Sequence, residues 1–184
     1  DLETYGEVQK TRSFLKGEAE PTALKTDPKN HPINWEILAS LRERPVAIIN
    51  TSKGTIRIQL LPEVAPGAVA MFVAQARKGY YNGKSFHRVV PNFVAQGGCP
   101  RGDGSGSLDF TLRTEVPAPM RYDHEGMVGL ASAGLDTESV QFFITHSPAP
   151  HLDGNYTIFA TVADGMSVVH DLQIGDVINK ISIQ

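Results

Sequence analysis

Arg88 lies within Ser85 to Gly98, SFHRVVPNFVAQGG, a lone cation among aromatic and β-branched residues with Gln96 following on the same stretch. A guanidinium stays charged across the physiological range and presents a rigid fork of N–H donors, so in apolar surroundings it can aim hydrogen bonds at a chosen atom. Alternating apolar positions predict two short strands broken at Pro91-Asn92, which sets Arg88 and Gln96 on neighbouring strands facing a shared side. The apolar neighbours predict a buried arginine, and Gln96 offers it a neutral anchor because no carboxylate stands beside it in sequence.

A second stretch with chemical content is Gly129 to Tyr156, GLASAGLDTESVQFFITHSPAPHLDGNY. Here the small residues Ala131, Ser132 and Ala133 precede a strand, QFFIT, in which Gln141 and Phe143 share one face and Phe142 takes the other. One ring therefore belongs to the core, and its neighbour is free to line a pocket.

Other chemistries lack the residues they need. The run GGCPRGDGSG, Gly97 to Gly106, has no Gly-Lys-Ser/Thr ending and no helix pattern after it, so it reads as a surface loop with positive φ angles rather than a phosphate cradle. His31, His87, His124, His146, His151 and His170 show no HExxH or paired spacing; His87, beside Phe86, reads as a hydrogen-bonded core residue, and no metal is expected. There is no GxSxG elbow, and nothing around Ser139 recommends it as a nucleophile, which argues against a hydrolase.

Those residues need a scaffold, and the chain is long enough to supply one. Its 184 residues fit one domain plus an appendage. A net charge of −3 with mixed signs gives no footprint for nucleic acid or an anionic membrane. Cys99 is the only cysteine, which rules out an internal disulfide. No apolar run approaches the roughly 20 residues of a membrane span. The compartment stays open between a bacterial cytoplasm and periplasm. A start at Asp1 without methionine leads us to expect a processed chain or a fragment, with a preceding domain among its partners.

Residues 1–45 differ in texture from the rest. Leu2, Tyr5, Val8 and Leu15 suggest an amphipathic helix ending at Gly17, followed by a proline-bearing linker. Asn34 is then the expected N-cap of a helix reaching about Arg44, with Ile33 and Leu38 at staple positions and Glu36 in the first turn. From Val46 strands dominate: a hairpin through Leu61, then Ser85–Val90, Phe93–Gln96, Met127–Ala131, Gln141–Thr145, Thr157–Val162 and Asp176–Ile183. Helices are expected from Pro66 to Gly79 and from Met166 to Leu172. Eight strands with two helices exclude a βαβ alternation and favour a closed antiparallel barrel capped by helices.

FHRVVPNFVAQGG, the GDGSGS loop, QFFIT and HLDGNYTIF together resemble the cyclophilin family of peptidyl-prolyl cis/trans isomerases, from about Val46 to Gln184. The resemblance implies a mainly β fold, an eight-stranded antiparallel barrel with a helix over each open end, forming an isomerase domain at 46–184 behind the partly helical extension. It implies that Arg88 is the principal catalytic residue and that Gln96 holds it and the substrate backbone. Phe93, Val94, Phe143 and Leu152 would form the proline pocket, with His151 and Tyr156 at its rim. Ala131, Ser132, Ala133 and Gln141 would line the groove for residues preceding proline.

The implied activity is rotation of Xaa-Pro bonds in peptides and in unfolded or flexible proteins, assisting folding without a cofactor. Rotation breaks no bond, so the chemistry calls for neither nucleophile nor metal. His151 stands where many cyclophilins carry the tryptophan that supports cyclosporin binding, which implies weak cyclosporin binding here. Ser132 replaces a common asparagine and Val94 a common methionine, changes expected to retune substrate preference. A module that docks proline peptides without turnover is the alternative reading, and retention of the cation favours the enzyme.

Overall fold

The computed structural model describes residues 31–184 apart from Ala118; the helix expected over Leu2–Leu15 lies outside them. Eight strands form one antiparallel sheet: β1 (Val46–Thr51), β2 (Thr55–Leu60), β3 (Phe86–Val90), β4 (Val94–Gly97), β5 (Met127–Leu130), β6 (Phe142–Thr145), β7 (Ile158–Asp164) and β8 (Ile178–Ile183). Their order is β3-β4-β6-β5-β7-β2-β1-β8. The outer strands β3 and β8 then meet. Ser85 bridges Val177, Phe86 N–H donates to Asp176 O at 2.8 Å, and Ile178 N–H donates to Lys84 O at 2.8 Å. Closure of this kind satisfies the backbone groups an edge would expose.

Alternation fills the interior. Ile49, Ile56, Ile58, Phe86, Ala95, Val128, Phe142 and Phe159 are fully buried in one cluster. Helix α2 (Pro66–Arg77) packs against β7 and β8 and sends Phe72 into the centre, where its ring lies 5.1 Å from Phe159, 5.2 Å from Tyr81 and 5.8 Å from Phe142. Burying such a ring stabilises the fold by roughly 1.5–3 kcal/mol. Helix α3 (Met166–Asp171) packs on β2. No helix among the described residues is long and apolar enough to cross a membrane.

Asn34 caps helix α1 (Trp35–Ala39) as expected, its Oδ1 accepting from Ile37 N–H at 3.0 Å. The helix stops well short of Arg44. Ser40 accounts for this: its hydroxyl donates to Ile37 O at 2.7 Å and its N–H is shared between Glu36 O and Ile37 O, a tightened last turn that ends the helix. Helix α1 rests on α2, with Arg77 Nη1 donating to Ser40 Oγ at 3.1 Å.

Helix α2 has no side-chain cap of its own, because Ala65 holds the N-cap position. The carboxylate of Glu115 substitutes from a distant segment, accepting from Gly67 N–H at 3.0 Å and Ala68 N–H at 2.9 Å. A carboxylate there satisfies two orphan donors and complements the helix dipole. Glu115→Ala is expected to lower stability by about 1–2 kcal/mol, read as a shift of the urea midpoint; an unchanged midpoint would show the cap to be dispensable.

Candidate active site

The strand register builds the site. Phe86 faces Gly97 and Val89 faces Ala95, with all four directed toward the core. Strict alternation from Phe86 would carry Arg88 inside as well. Between them the register slips, so that Arg88 instead faces Gln96. This one-residue bulge at His87 turns Arg88 to the outer face. The row continues across the sheet, because Gln96 faces Phe143 and Phe143 faces Gly129. Arg88, Gln96, Phe143 and Gly129 thus form one line across four strands, running from an exposed cation to a buried glycine.

Two expectations change here. Arg88 is exposed rather than buried, for the reason just given. Gln96 also does not hold it: the Gln96 amide donates to Gln141 Oε1 at 3.2 Å, while the guanidinium carbon of Arg88 lies 5.7 Å from the centre of the Phe93 ring. A cation over an aromatic face is attracted by the ring quadrupole, which orients the guanidinium while leaving its donors free. Among the described residues no carboxylate forms an ion pair with Arg88.

Outside the barrel core, Val94, Tyr122, Met127, Phe143, Ala149, Leu152 and Ile158 make a second buried cluster, with Phe93, Ala131 and Tyr156 packed against it. The predicted split within QFFIT holds: Phe142 enters the first cluster and Phe143 the second. Phe143 lies 5.8 Å from Tyr156, edge to face, and Phe93 lies 5.2 Å from His151 on the exposed rim. Leu152 reaches the cluster from a single 3-10 turn, Pro150–Leu152. The result is an apolar cluster on the outer face of the sheet, with the Arg88 guanidinium over the Phe93 ring at its edge.

Gln141 ties the cluster to the neighbouring loop. Its side-chain amide donates to Gly106 O at 2.6 Å and Gly104 O at 3.0 Å, and its backbone carbonyl accepts from Ala131 N–H at 2.9 Å. Ser132 and Ala133 follow Ala131 on the bend after β5 and stand apart from the apolar cluster. The Gly97–Gly106 loop has the expected positive φ at Gly98, Gly102 and Gly104. His87 departs from expectation: both ring nitrogens are buried without a hydrogen-bond partner, and burial lowers its pKa below the usual imidazole value. The bulge that frees Arg88 leaves the imidazole beneath Gly104.

Tyr122 was not foreseen, since nothing in its polar sequence neighbourhood signals a buried ring. It stacks on Phe143 at 5.7 Å, and its hydroxyl reaches Tyr156 O and Thr157 O at 3.4 and 3.5 Å. Burial, and then the charge of Glu138, hold its phenol well above the usual range. Gly129 makes room for it, because a Cβ at that position would strike both the Tyr122 hydroxyl and the Phe143 ring.

An antiparallel barrel with an exposed arginine beside an outward apolar cluster is compatible with a prolyl isomerase of the cyclophilin class, and the comparisons with known proteins place the chain there. Residues 46–183 match the family profile "Cyclophilin type peptidyl-prolyl cis-trans isomerase/CLD". The chain belongs to that family and is a peptidyl-prolyl cis-trans isomerase. It is 42% identical over 129 residues to peptidyl-prolyl cis-trans isomerase B of Bacillus subtilis, covering 70% of this chain and 90% of that one. It is 42% identical over 158 residues to a peptidyl-prolyl cis-trans isomerase of Helicobacter pylori strain 26695, covering 84% and 95%. A Cryptosporidium parvum cyclophilin type isomerase, solved in the presence of the dipeptide Ala-Pro, superposes with a TM-score of 0.72 at 30% identity over 76% of this chain and 98% of that one.

Gly129→Ala is expected to displace Phe143 and Tyr122 and to weaken binding of a proline peptide about tenfold, with a stability loss of about 1–3 kcal/mol. Peptide titration together with urea unfolding reads both effects, and unchanged values would show that the pocket floor tolerates a methyl group.

Proposed function

We propose that Arg88 catalyses rotation of Xaa-Pro bonds by donating a hydrogen bond to the prolyl nitrogen as the amide twists. The supporting observation is the placement of its guanidinium, which forms no ion pair among the described residues, over the Phe93 ring at the edge of the cluster of Val94, Phe143 and Leu152. Rotation about a peptide bond meets a barrier of ~18–20 kcal/mol because twisting destroys amide resonance. Uncatalysed prolyl isomerisation takes ~10–100 s. In the twisted state the nitrogen becomes pyramidal and gains a lone pair that the planar amide lacks. A donor aimed there stabilises the transition state over the substrate, and each ~1.4 kcal/mol of that difference is worth about tenfold in rate.

The remaining residues grip and align. Phe143 and Leu152 hold the proline ring, with His151 and Tyr156 as the rim. Gln96 and Gln141, joined by their side-chain amides, present polar groups to the peptide backbone, and Ala131, Ser132 and Ala133 border the groove for residues before proline. The substrates are proline-containing peptides and unfolded or flexible proteins, whose folding the enzyme assists. We assign catalysis to residues 46–184 and treat residues 1–45 as an extension of that unit.

Exchange NMR of an Ala-Pro peptide tests the reading. Arg88→Ala should lower kcat/KM by about 100-fold or more, the scale of losing one transition-state donor, and should remain folded because Arg88 is exposed. Equal acceleration by variant and wild type would make Arg88 structural. Binding without turnover in the wild type would make the chain a docking module.

His151 offers less apolar area than an indole, and its ring N–H sits differently from that of an indole. His151→Trp is therefore expected to tighten cyclosporin binding by about tenfold or more, measured by titration. Equal affinities would remove His151 from the account of ligand preference.

A further inference from the structure

Glu138 is fully buried, and the catalytic reading leaves it without a task. It lies in the bend between β5 and β6, three residues before Gln141. Its Oε1 accepts from Thr157 N–H at 2.9 Å and its Oε2 from the Thr157 hydroxyl at 2.6 Å. Both oxygens thus close on a single residue, and that residue is a junction. Thr157 follows Tyr156 directly in the chain. Its carbonyl accepts from Leu130 N–H at 3.0 Å, one residue before Ala131, and its hydroxyl accepts from Glu115 N–H at 2.7 Å. Glu138 O also accepts from Leu112 N–H at 2.7 Å.

We propose that Glu138 is a positioning residue for the substrate groove, fixing Tyr156 on one side and Ala131 on the other through Thr157 and thereby setting peptide affinity. The proposal rests on the reading of Tyr156 and Ala131 as groove residues. An apolar or amide side chain would fill the space as well as a carboxylate does. A carboxylate differs in accepting both Thr157 donors at once, and charge-assisted hydrogen bonds are roughly twice as strong as neutral ones. A burial this complete is costly for an anion, and the two Thr157 donors offset part of that cost.

The groups facing Glu138 are Glu115, Asp136, Tyr122 and Thr157. Among the described residues no cation forms an ion pair with it. Burial pushes its carboxyl up to about 7, the charges of Glu115 and Asp136 add to the rise, and the two Thr157 hydrogen bonds oppose it. Because the folded value lies above the unfolded one, the stability linked to this group is fully present below 4.5 and is lost as pH rises from there to about 7. The hold on Thr157 runs the other way. It is strongest in the carboxylate form, so peptide affinity should improve as pH rises through about 7.

The test is the Kd of an Ala-Pro-containing peptide, by titration, from pH 5.5 to 8.5. Binding is used in place of turnover, so a failure of Arg88 as the catalytic donor would leave the result readable. Wild type should show one step centred near 7, with about fivefold tighter binding on the alkaline side. Glu138→Gln should lose the step and sit at the wild-type acid value throughout, whereas His151→Asn, which removes the rim imidazole, should keep it. Thr157→Val, lacking the hydroxyl partner, should show a smaller step. A flat wild-type profile overturns the proposal without recourse to any variant. So does a Glu138→Gln protein that keeps the step, or one that binds as tightly as wild type at pH 8.5.

Discussion

The place of Arg88 in the site depends on one break in strand register. Pleating sends alternate residues to opposite faces, and on β3 that rule would bury Arg88 beside Phe86 in the apolar core. An unpaired guanidinium in such a place costs several kcal/mol. The bulge at His87 shifts the count by one, and Arg88 emerges opposite Gln96 on the outer face. There it joins a row set by two further pairings: Gln96 meets Phe143, Phe143 meets Gly129, and the missing side chain at Gly129 admits Tyr122 beside the Phe143 ring.

The same sheet therefore serves two apolar clusters, one inside the barrel and one outside. Consecutive rings in β6 divide between them. Phe142 packs with Phe72, Tyr81 and Phe86, while Phe143 lies between Tyr122 and Tyr156. The inner cluster gives the strands their rigidity, and the outer one packs against that rigid sheet. Side chains carried on strands, such as Val94 and Phe143, are held in place by the sheet, which lowers the ordering cost of binding. Polar connections complete the outer cluster at the margins, through Gln141 to the glycine-rich loop and through Glu138 to Thr157.

Much of this was legible in the sequence, and the parts that were not share a cause. Period-two alternation located all eight strands within a few residues, Pro66 and Gly79 bracketed α2, and QFFIT by itself required that its two phenylalanines part company. Arg88 was placed on the right strand pair but assigned to the wrong environment, because alternation carries no sign of a bulge. Gln96 looked like its anchor because the two are neighbours across the hairpin; only the tertiary structure shows Gln141 claiming that amide. Glu115, Tyr122 and Glu138 act on residues far away in the chain, at Gly67, Phe143 and Thr157. No local pattern records such partners.

The account stands or falls on whether Arg88 acts on the twisted amide rather than on the bound peptide. NMR line-shape analysis of an Ala-Pro peptide titrated with wild type and with Arg88→Ala separates the two, giving Kd for the cis and trans forms and the rate of their interconversion on the enzyme. The account predicts that both dissociation constants stay within about twofold while the on-enzyme rate falls by about 100-fold or more. A loss appearing wholly in the dissociation constants, with the on-enzyme rate unchanged, would contradict it.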